Sequence, residues 1–178
     1  MKKFLLVIVL VIIVIFSSFV YLEIEEKRKI ASISSFAQCK ALGYPLLEKY
    51  PSVCTAPDGR TFTQDIGNEL EMKDSIEAQS PRPGDELESP FRITGKARGR
   101  WFFEGFFFAK LYDENGTMLN STLITAQDDW MSDEFVPFDG SMEYFTPETE
   151  NGKLILNNAN PSALPENDLQ LIIPVKLK

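Results

Sequence analysis

The chain has 178 residues, of which 44% are hydrophobic and 25% are charged, a composition that suits one domain of ordinary size with appendages. Its formal net charge of −8 excludes the basic surface that sequence-independent nucleic-acid binding requires, so no nucleic acid is expected as a partner. The absence of histidine removes the commonest general base and the commonest transition-metal ligand. We therefore expect no enzyme activity, no cofactor, and no catalytic or metal-binding residues.

Residues 4–22, "FLLVIVLVIIVIFSSFVYL", form an uncharged run that is close to the about 20 residues a helix needs to cross a bilayer. Residues 1–3 precede it and carry two lysines, and residues 23–35 follow it as a juxtamembrane segment of mixed charge. Because the segment comes first in the chain, we expect a single-pass anchor in the cell membrane with a cytoplasmic N-terminus. Everything after residue 22 is then extracytoplasmic.

The alternative to an anchor is a secretory signal that is cleaved after export. Such a signal has a shorter apolar core and small residues before the cleavage point. Only Ser17 and Ser18 could serve, and "FVYLEIEE" after them is a poor start for a mature chain. The pattern favours the anchor and leaves cleavage open.

Residues 36–64 contain the only two cysteines, Cys39 and Cys54, and are predicted to form a small disulfide-linked module. Closing a loop of this length gains roughly 3 kcal/mol in the chain-entropy model, a large share for a segment with few core residues. Within it, "PDG" predicts a turn that leads into the short strand "RTFTQ". The alternative, two unpaired buried thiols, is less expected outside the cytoplasm.

Residues 65–73, "DIGNELEMK", are acidic and predict a linker, which places the domain boundary near Lys73. Beyond it, residues 74–178 form runs of strand-like residues with turn signals every 8 to 12 residues. This spacing predicts an all-β antiparallel β-sandwich. The predicted strands are "SIEAQS" as an edge strand, "FRITGKARG", "WFFEGFFFAKLY", "TMLNSTLITAQ", "EFVPFDGSMEYFTP", "NGKLILNNANP" and "DLQLIIPVKLK".

The last of these strands alternates most clearly, with its odd-numbered residues from Leu169 to Leu177 on one apolar face. Pro174 lies on the opposite face and has no N–H group. We therefore expect its position to face a sheet edge or a gap in the hydrogen-bond ladder.

The stretch from Trp101 to Tyr112 is read as one long strand with two faces. One face is apolar and predicted to be core: Trp101, Phe103, Gly105, Phe107, Ala109 and Leu111. The other mixes charges with aromatic rings and is predicted to face solvent: Phe102, Glu104, Phe106, Phe108, Lys110 and Tyr112. An exposed aromatic cluster favours a binding site, so the candidate ligand-binding residues are Phe102, Phe106, Phe108 and Trp130. The alternative is that the N-terminal module or a crossing loop covers this face.

The segment "DDWMSDEF" concentrates four acidic residues in the range 128–134 that could offer oxygen ligands to calcium. It lacks the alternating acidic residues and central glycine of a calcium loop. Solvated loop acids are the favoured interpretation, and calcium binding stays open.

Three stretches, "SPFRITGKARGRWFFEGFFFAKLYDENG", "AQDDWMSDEFVPF" and "NPSALPENDLQLIIPV", resemble the immunoglobulin-like domain first associated with bacterial spore-germination proteins. The resemblance covers roughly residues 74–178. It implies a seven- to eight-stranded immunoglobulin-like sandwich in an exported bacterial protein, without established catalytic residues. It also implies an interaction or structural module of the cell envelope. Germination proteins with this module usually carry a larger partner domain, so a role in germination does not follow.

Two functions fit these observations. The first is a membrane-anchored binding module that holds a cell-envelope polymer or a membrane or surface protein. The alternative is a scaffold or stalk element of a surface assembly, without a specific ligand. The first predicts that the aromatic cluster is exposed, and the second that it is buried or paired between copies of the domain.

Overall fold

The computed structural model describes residues 2–145 and 147–178, with the backbone alone for residues 2–9. The contacts divide the chain into two units, one that ends at Gln64 and one that comprises Asp65–Lys178. The first unit contains a long helix and a small disulfide module. The second contains the β-structure that carries the candidate site.

The first unit begins with helix α1, which covers Lys2–Ala31. The helix therefore continues from the predicted anchor through most of the predicted juxtamembrane segment. The anchor prediction starts at Phe4, and the side chains of residues 4–9 lie outside the described part of the chain. Among the residues that are described, no helix has both the length and the apolar character of a membrane span. The anchor stays a prediction.

The disulfide module follows with helix α2 (Phe36–Ala41) and strands β1 (Leu46–Leu47), β2 (Val53–Thr55) and β3 (Thr61–Thr63). The three strands form an antiparallel sheet in the order β1-β2-β3. Cys39 of α2 and Cys54 of β2 form a disulfide with a Cα–Cα distance of 6.1 Å, which confirms the predicted pair. Both cysteines are fully buried. The disulfide thus joins α2 to the sheet covalently, in a module where few other described side chains are buried.

Arg60 ties this module to the end of α1. Its guanidinium donates to the carbonyl oxygens of Ile30 and Ile33 at 2.7 and 2.8 Å, and to a carboxylate oxygen of Asp58 at 2.8 Å. Ile30 lies in the last turn of α1, where the carbonyls have no partner within the helix and a cation is favoured, and Ile33 follows the helix. Hydrogen bonds from the backbone N–H and the guanidinium of Arg60 lower the pKa of Asp58 below its usual value.

The described residues of the second unit contain a short α-helix and eight strands. These are α3 (Glu69–Met72), β4 (Ile76–Ser80), β5 (Glu86–Leu87), β6 (Phe91–Arg98), β7 (Phe106–Asp113), β8 (Met118–Ala126), β9 (Phe135–Met142), β10 (Asn151–Asn157) and β11 (Gln170–Leu177). The sheet order is β4-β6-β9-β8-β7-β10-β11-β5, and every pair is antiparallel except β11 with β5. Only Thr125 and Ala126 of β8 pair with β9, so the sheet turns a corner there into two layers. This is the predicted sandwich-like arrangement.

The core lies between the two layers and follows the period of two along each strand. Fully buried side chains include Phe107, Leu111, Ile124, Phe138, Leu154 and Leu156. In β11 the predicted alternation is confirmed, because Leu171, Ile173, Val175 and Leu177 are buried. The position of Pro174 is confirmed as well. Its carbonyl accepts a hydrogen bond from the backbone N–H of Gly84 at 2.8 Å, on the edge of β11 away from β10.

Residues 65–73 differ from the predicted linker, because they pack along the edge of β11. The side-chain amide of Asn68 donates to the Gln170 carbonyl at 2.8 Å, and its oxygen accepts from the Ile172 N–H at 2.7 Å. One side chain thus takes the place of a neighbouring strand. The close approach requires Gly67, since a Cβ there would lie 1.9 Å from the Ile172 carbonyl oxygen. The acidic composition of the segment gave no signal of this docking.

Candidate binding surface

The predicted strand from Trp101 to Tyr112 is wrong in its first half. Residues Gly99–Trp101 form a 3₁₀ turn, and β7 begins only at Phe106. Between them, Glu104 and Gly105 form a two-residue turn with positive φ angles of 54° and 82°. Two consecutive positive φ angles are typical of the tight hairpin turn whose twist matches paired strands.

This turn reverses which residues face the core. Phe103 and Phe106 are paired directly across it, so their side chains point to the same side of the hairpin. Phe102 is therefore on the core side, with 4% exposure and its ring centroid 5.3 Å from that of Phe107. Phe103 is 43% exposed. The predicted faces are correct from Phe106 onward, and Trp101 is buried as predicted. Phe102 and Phe103 are exchanged, which removes Phe102 from the candidate binding residues.

An exposed apolar surface remains on the outer face of β7 and β8. We call it the outer aromatic patch, and it consists of Phe103, Phe106, Phe108 and Leu123. Phe108 is 43% exposed and Leu123, its direct partner on β8, is 48% exposed. The rings of Phe106 and Phe108 pack edge to face with centroids 6.0 Å apart. The patch is thus continuous across the hairpin and two strands.

Trp130, the fourth candidate, is half-buried and packs against the core cluster. Its indole ring also lies beside the turn, since a Cβ on Gly105 would be 3.5 Å from two of its ring atoms. Trp130 therefore supports the turn that presents Phe103. Sequence reasoning missed Phe103 and Leu123. The one local signal for Phe103 is the Glu-Gly pair, a weaker form of the Asn-Gly and Asp-Gly turn pattern.

The acidic residues of the segment 128–134 are used in local turns and ion pairs. Carboxylate oxygens of Asp128 and Asp129 accept backbone N–H groups one and two residues further on, at 2.8 and 3.0 Å. Arg98 donates to the Asp133 carbonyl at 2.8 Å and pairs with Glu134 at 3.7 Å. In the described part of the chain no group of three acidic or thiol side chains is placed to hold a metal ion.

A polar groove adjoins the patch at the sheet corner. We define it by Arg92, Thr125, Gln127 and Asp139, which line a depression of about 460 Å³. Thr125 belongs to both surfaces, because it is paired with Phe106 on β7 and with Asp139 on β9. Its hydroxyl donates to the Asp139 carbonyl at 3.2 Å, and it accepts from the Gln127 amide at 3.2 Å. The outer face is therefore continuous from the patch into the groove.

Arg92 and Asp139 form a two-pronged ion pair across β6 and β9. The Arg92 Nε donates to Asp139 Oδ1 at 2.8 Å, and its Nη2 donates to the second carboxylate oxygen. These hydrogen bonds lower the pKa of the Asp139 carboxyl and raise the pKa of the Arg92 guanidinium. Arg92 is exposed and Asp139 is partly buried, and both groups stay charged at neutral pH. The two residues are 47 positions apart, and no sequence pattern connected them.

Comparison with known protein families decides what kind of domain carries these surfaces. Residues 75–162 match Gmad2, the immunoglobulin-like domain of bacterial spore germination. The match confirms the resemblance seen in the sequence, and within the Gmad2 match lie β4 to β10 together with the patch and the groove. Strand β11 follows the matched range and completes the second layer. No curated protein and no solved structure matches the chain.

Proposed function

We propose that this protein is a non-catalytic binding module, anchored in the cell membrane by its N-terminal helix, whose immunoglobulin-like domain binds a component of the cell envelope. The binding surface in this proposal is the outer aromatic patch. The Gmad2 match supports a surface module with either a binding or a structural role. We prefer the binding role because of the outer aromatic patch.

The observation that carries the proposal is the exposure of clustered apolar side chains. Phe103 and Phe108 are each 43% exposed and Leu123 is 48% exposed, on one continuous face. Single exposed apolar residues are ordinary, whereas a contiguous group on a domain surface is typical of an interaction site. Aromatic side chains, phenylalanine among them, are also enriched at the core of binding interfaces.

The membrane anchor and the extracytoplasmic position are supported by separate features. The run 4–22 is uncharged and preceded by two lysines, the arrangement that favours a cytoplasmic N-terminus. The disulfide between Cys39 and Cys54 suits an oxidising compartment outside the cytoplasm. A reporter active only outside the cytoplasm, fused after Lys178, is expected to be active, and the purified protein is expected to begin at Met1. An N-terminus mapped after Ser18 would replace the anchor with a cleaved signal.

The alternative is a scaffold element, and one observation favours it. Of the four aromatic residues predicted to bind, Phe102 is buried and Trp130 is half-buried against the core. In a scaffold, the exposed rings of Phe103 and Phe108 would pack against the same patch on another copy of the domain. The two functions differ in whether the purified protein associates with itself through the patch.

The binding proposal is tested by the double variant Phe103→Ser with Phe108→Ser. Both side chains are on the surface and outside the core, so the melting temperature should stay nearly unchanged. Retention of the full-length protein on isolated bacterial cell envelope should weaken by about tenfold or more, as the loss of an aromatic anchor does. The matched control is Phe145→Ser, which removes a ring that is 94% exposed and lies outside the patch.

Two results would count against binding through the patch. Equal retention of the double variant and the wild type would remove the patch from the interaction. Loss of self-association in the double variant, measured by analytical ultracentrifugation and without any change in envelope retention, would establish the scaffold function instead.

A further inference from the structure

We propose that the ligand of this surface is a neutral polysaccharide chain that lies across the outer aromatic patch and the polar groove together. This inference rests on the proposed binding function and specifies the chemistry of its partner. Its basis is the direct connection of an aromatic surface to a hydrogen-bonding groove on one face of the sheet.

The connection is a row of paired residues across three strands. Phe106 of β7 is opposite Thr125 of β8, and Thr125 is opposite Asp139 of β9. Directly paired side chains have their Cβ atoms about 5 Å apart, so Phe106 and Asp139 are about 10 Å apart along this row. A short chain of linked sugar rings that extends along this row would contact both surfaces at once.

Sugar rings present two chemically different surfaces, and the site offers a match for each. The C–H groups on one side of a pyranose ring are apolar and pack against aromatic side chains, which the exposed Phe103 and Phe108 can supply. The hydroxyl groups around the ring need donors and acceptors. Arg92 offers N–H donors, Asp139 offers carboxylate acceptors, and the Gln127 side chain offers both.

The ion pair also holds its two members ready for neighbouring hydroxyls. Arg92 and Asp139 fix each other through two parallel hydrogen bonds, so their planar groups are already oriented before a ligand arrives. Each keeps unused capacity, because a guanidinium has five N–H donors and a carboxylate about four acceptor positions. A pair of adjacent hydroxyls can donate to the carboxylate and accept from the guanidinium.

The charge of the site favours a neutral glycan over a polyanion. The charge of Arg92 is balanced by Asp139 within the groove. The chain as a whole carries −8, which repels phosphate-rich polymers and anionic lipid surfaces. A peptide that adds a strand is also disfavoured here, since β7 is hydrogen-bonded on both sides and offers its face rather than an edge.

The test measures binding of chitohexaose to the full-length protein in mild detergent by isothermal titration calorimetry. We expect a dissociation constant in the micromolar to low-millimolar range. Arg92→Ala and Phe108→Ser should each weaken binding by about tenfold or more. Arg92→Lys should lose nearly as much as Arg92→Ala, because lysine keeps the charge but not the planar fork of donors.

The matched control is Lys96→Ala, on the outer face of the same strand as Arg92 and paired with Glu77 rather than Asp139. Its affinity for chitohexaose should stay within about twofold of the wild type. A glycerol phosphate polymer serves as the polyanionic probe and is expected not to bind.

Three outcomes would overturn the glycan inference. They are no heat of binding with chitohexaose, unchanged affinity in Arg92→Ala, or tighter binding of the glycerol phosphate polymer than of chitohexaose. The proposed function is judged separately by envelope retention. If Phe103→Ser with Phe108→Ser loses retention while Arg92→Ala keeps it, the patch binds an envelope component that is not this glycan.

Discussion

Phe103 and Phe106 exchange both of their backbone hydrogen bonds across the Glu104–Gly105 turn, with N to O distances of 3.0 and 3.2 Å. In a two-residue hairpin the paired positions differ by three in number, so an odd residue is opposite an even one. The alternation of faces along the chain is therefore reversed at the turn. This places Phe103 beside Phe106 in the outer aromatic patch and turns Phe102 into the core.

The reversal of faces predicts unequal effects of substitutions at two neighbouring phenylalanines. Phe102→Ala should lower the free energy of unfolding by roughly 3 to 5 kcal/mol, as expected for a buried ring that contacts Phe107. Phe103→Ser should change it by less than about 0.5 kcal/mol. Urea denaturation of both variants measures the difference. A larger loss of unfolding free energy at Phe103 than at Phe102 would instead support one continuous strand from Trp101 to Tyr112.

The edge of β11 depends on the Asn68 side chain. Asn68→Ala leaves the Ile172 N–H and the Gln170 carbonyl without their partners, and we expect a loss of about 1 to 3 kcal/mol in unfolding free energy. Hydrogen exchange at the Ile172 amide should become faster in this variant.

Asn68→Asp is the matched control for this position. It keeps the acceptor for the Ile172 N–H and removes the donor to Gln170, so slow exchange at Ile172 should be retained better than in Asn68→Ala. Equal exchange rates in all three proteins would show that the edge is held by backbone contacts alone.

Reduction of the Cys39–Cys54 disulfide should affect the first unit and spare the second. The module has few buried residues apart from the two cysteines, so reduction should expose residues 36–64 to hydrogen exchange. The sandwich has its own core and contains no cysteine, so its exchange pattern should not change. Loss of protection in β6 to β11 on reduction would contradict this independence.

The ion pair between Arg92 and Asp139 predicts a pH dependence with a defined sign. The pKa of Asp139 is lowered in the folded protein, chiefly by the hydrogen bonds from Arg92. The pair therefore contributes its small stabilisation above the unfolded pKa of aspartate, near 3.9, and loses it as the pH falls through the lower folded value. Binding that uses Asp139 should then be constant between about pH 5 and pH 8.

An NMR titration of the carboxyl carbon measures this pKa directly. In Arg92→Ala the pKa of Asp139 should rise toward its ordinary value. Lys96→Ala should leave it where it is, because Lys96 pairs with Glu77 instead. An unchanged Asp139 titration in Arg92→Ala would show that the two side chains do not pair in solution.

The sequence by itself determined the features that depend on neighbours in the chain. The seven predicted strand regions all contain strands, and the period of two in β11 identified its core face and the edge position of Pro174. The disulfide between Cys39 and Cys54 could be predicted because the chain has only these two cysteines. The three stretches that resemble the immunoglobulin-like domain lie mostly in the range that its family model matches. These signals are local, because turn residues and alternation act over a few positions.

Tertiary structure decided the parts of the site beyond Phe106 and Phe108. The direction of Phe102 and Phe103 depends on whether Glu104 takes a positive φ, which the side chain of glutamate does not favour. The pairing of Arg92 with Asp139 depends on the register of β6 and β9. The docking of Asn68 on β11 joins positions more than a hundred residues apart. Such contacts form only when the whole sheet closes, because the free energy that selects them comes from burial of the common core.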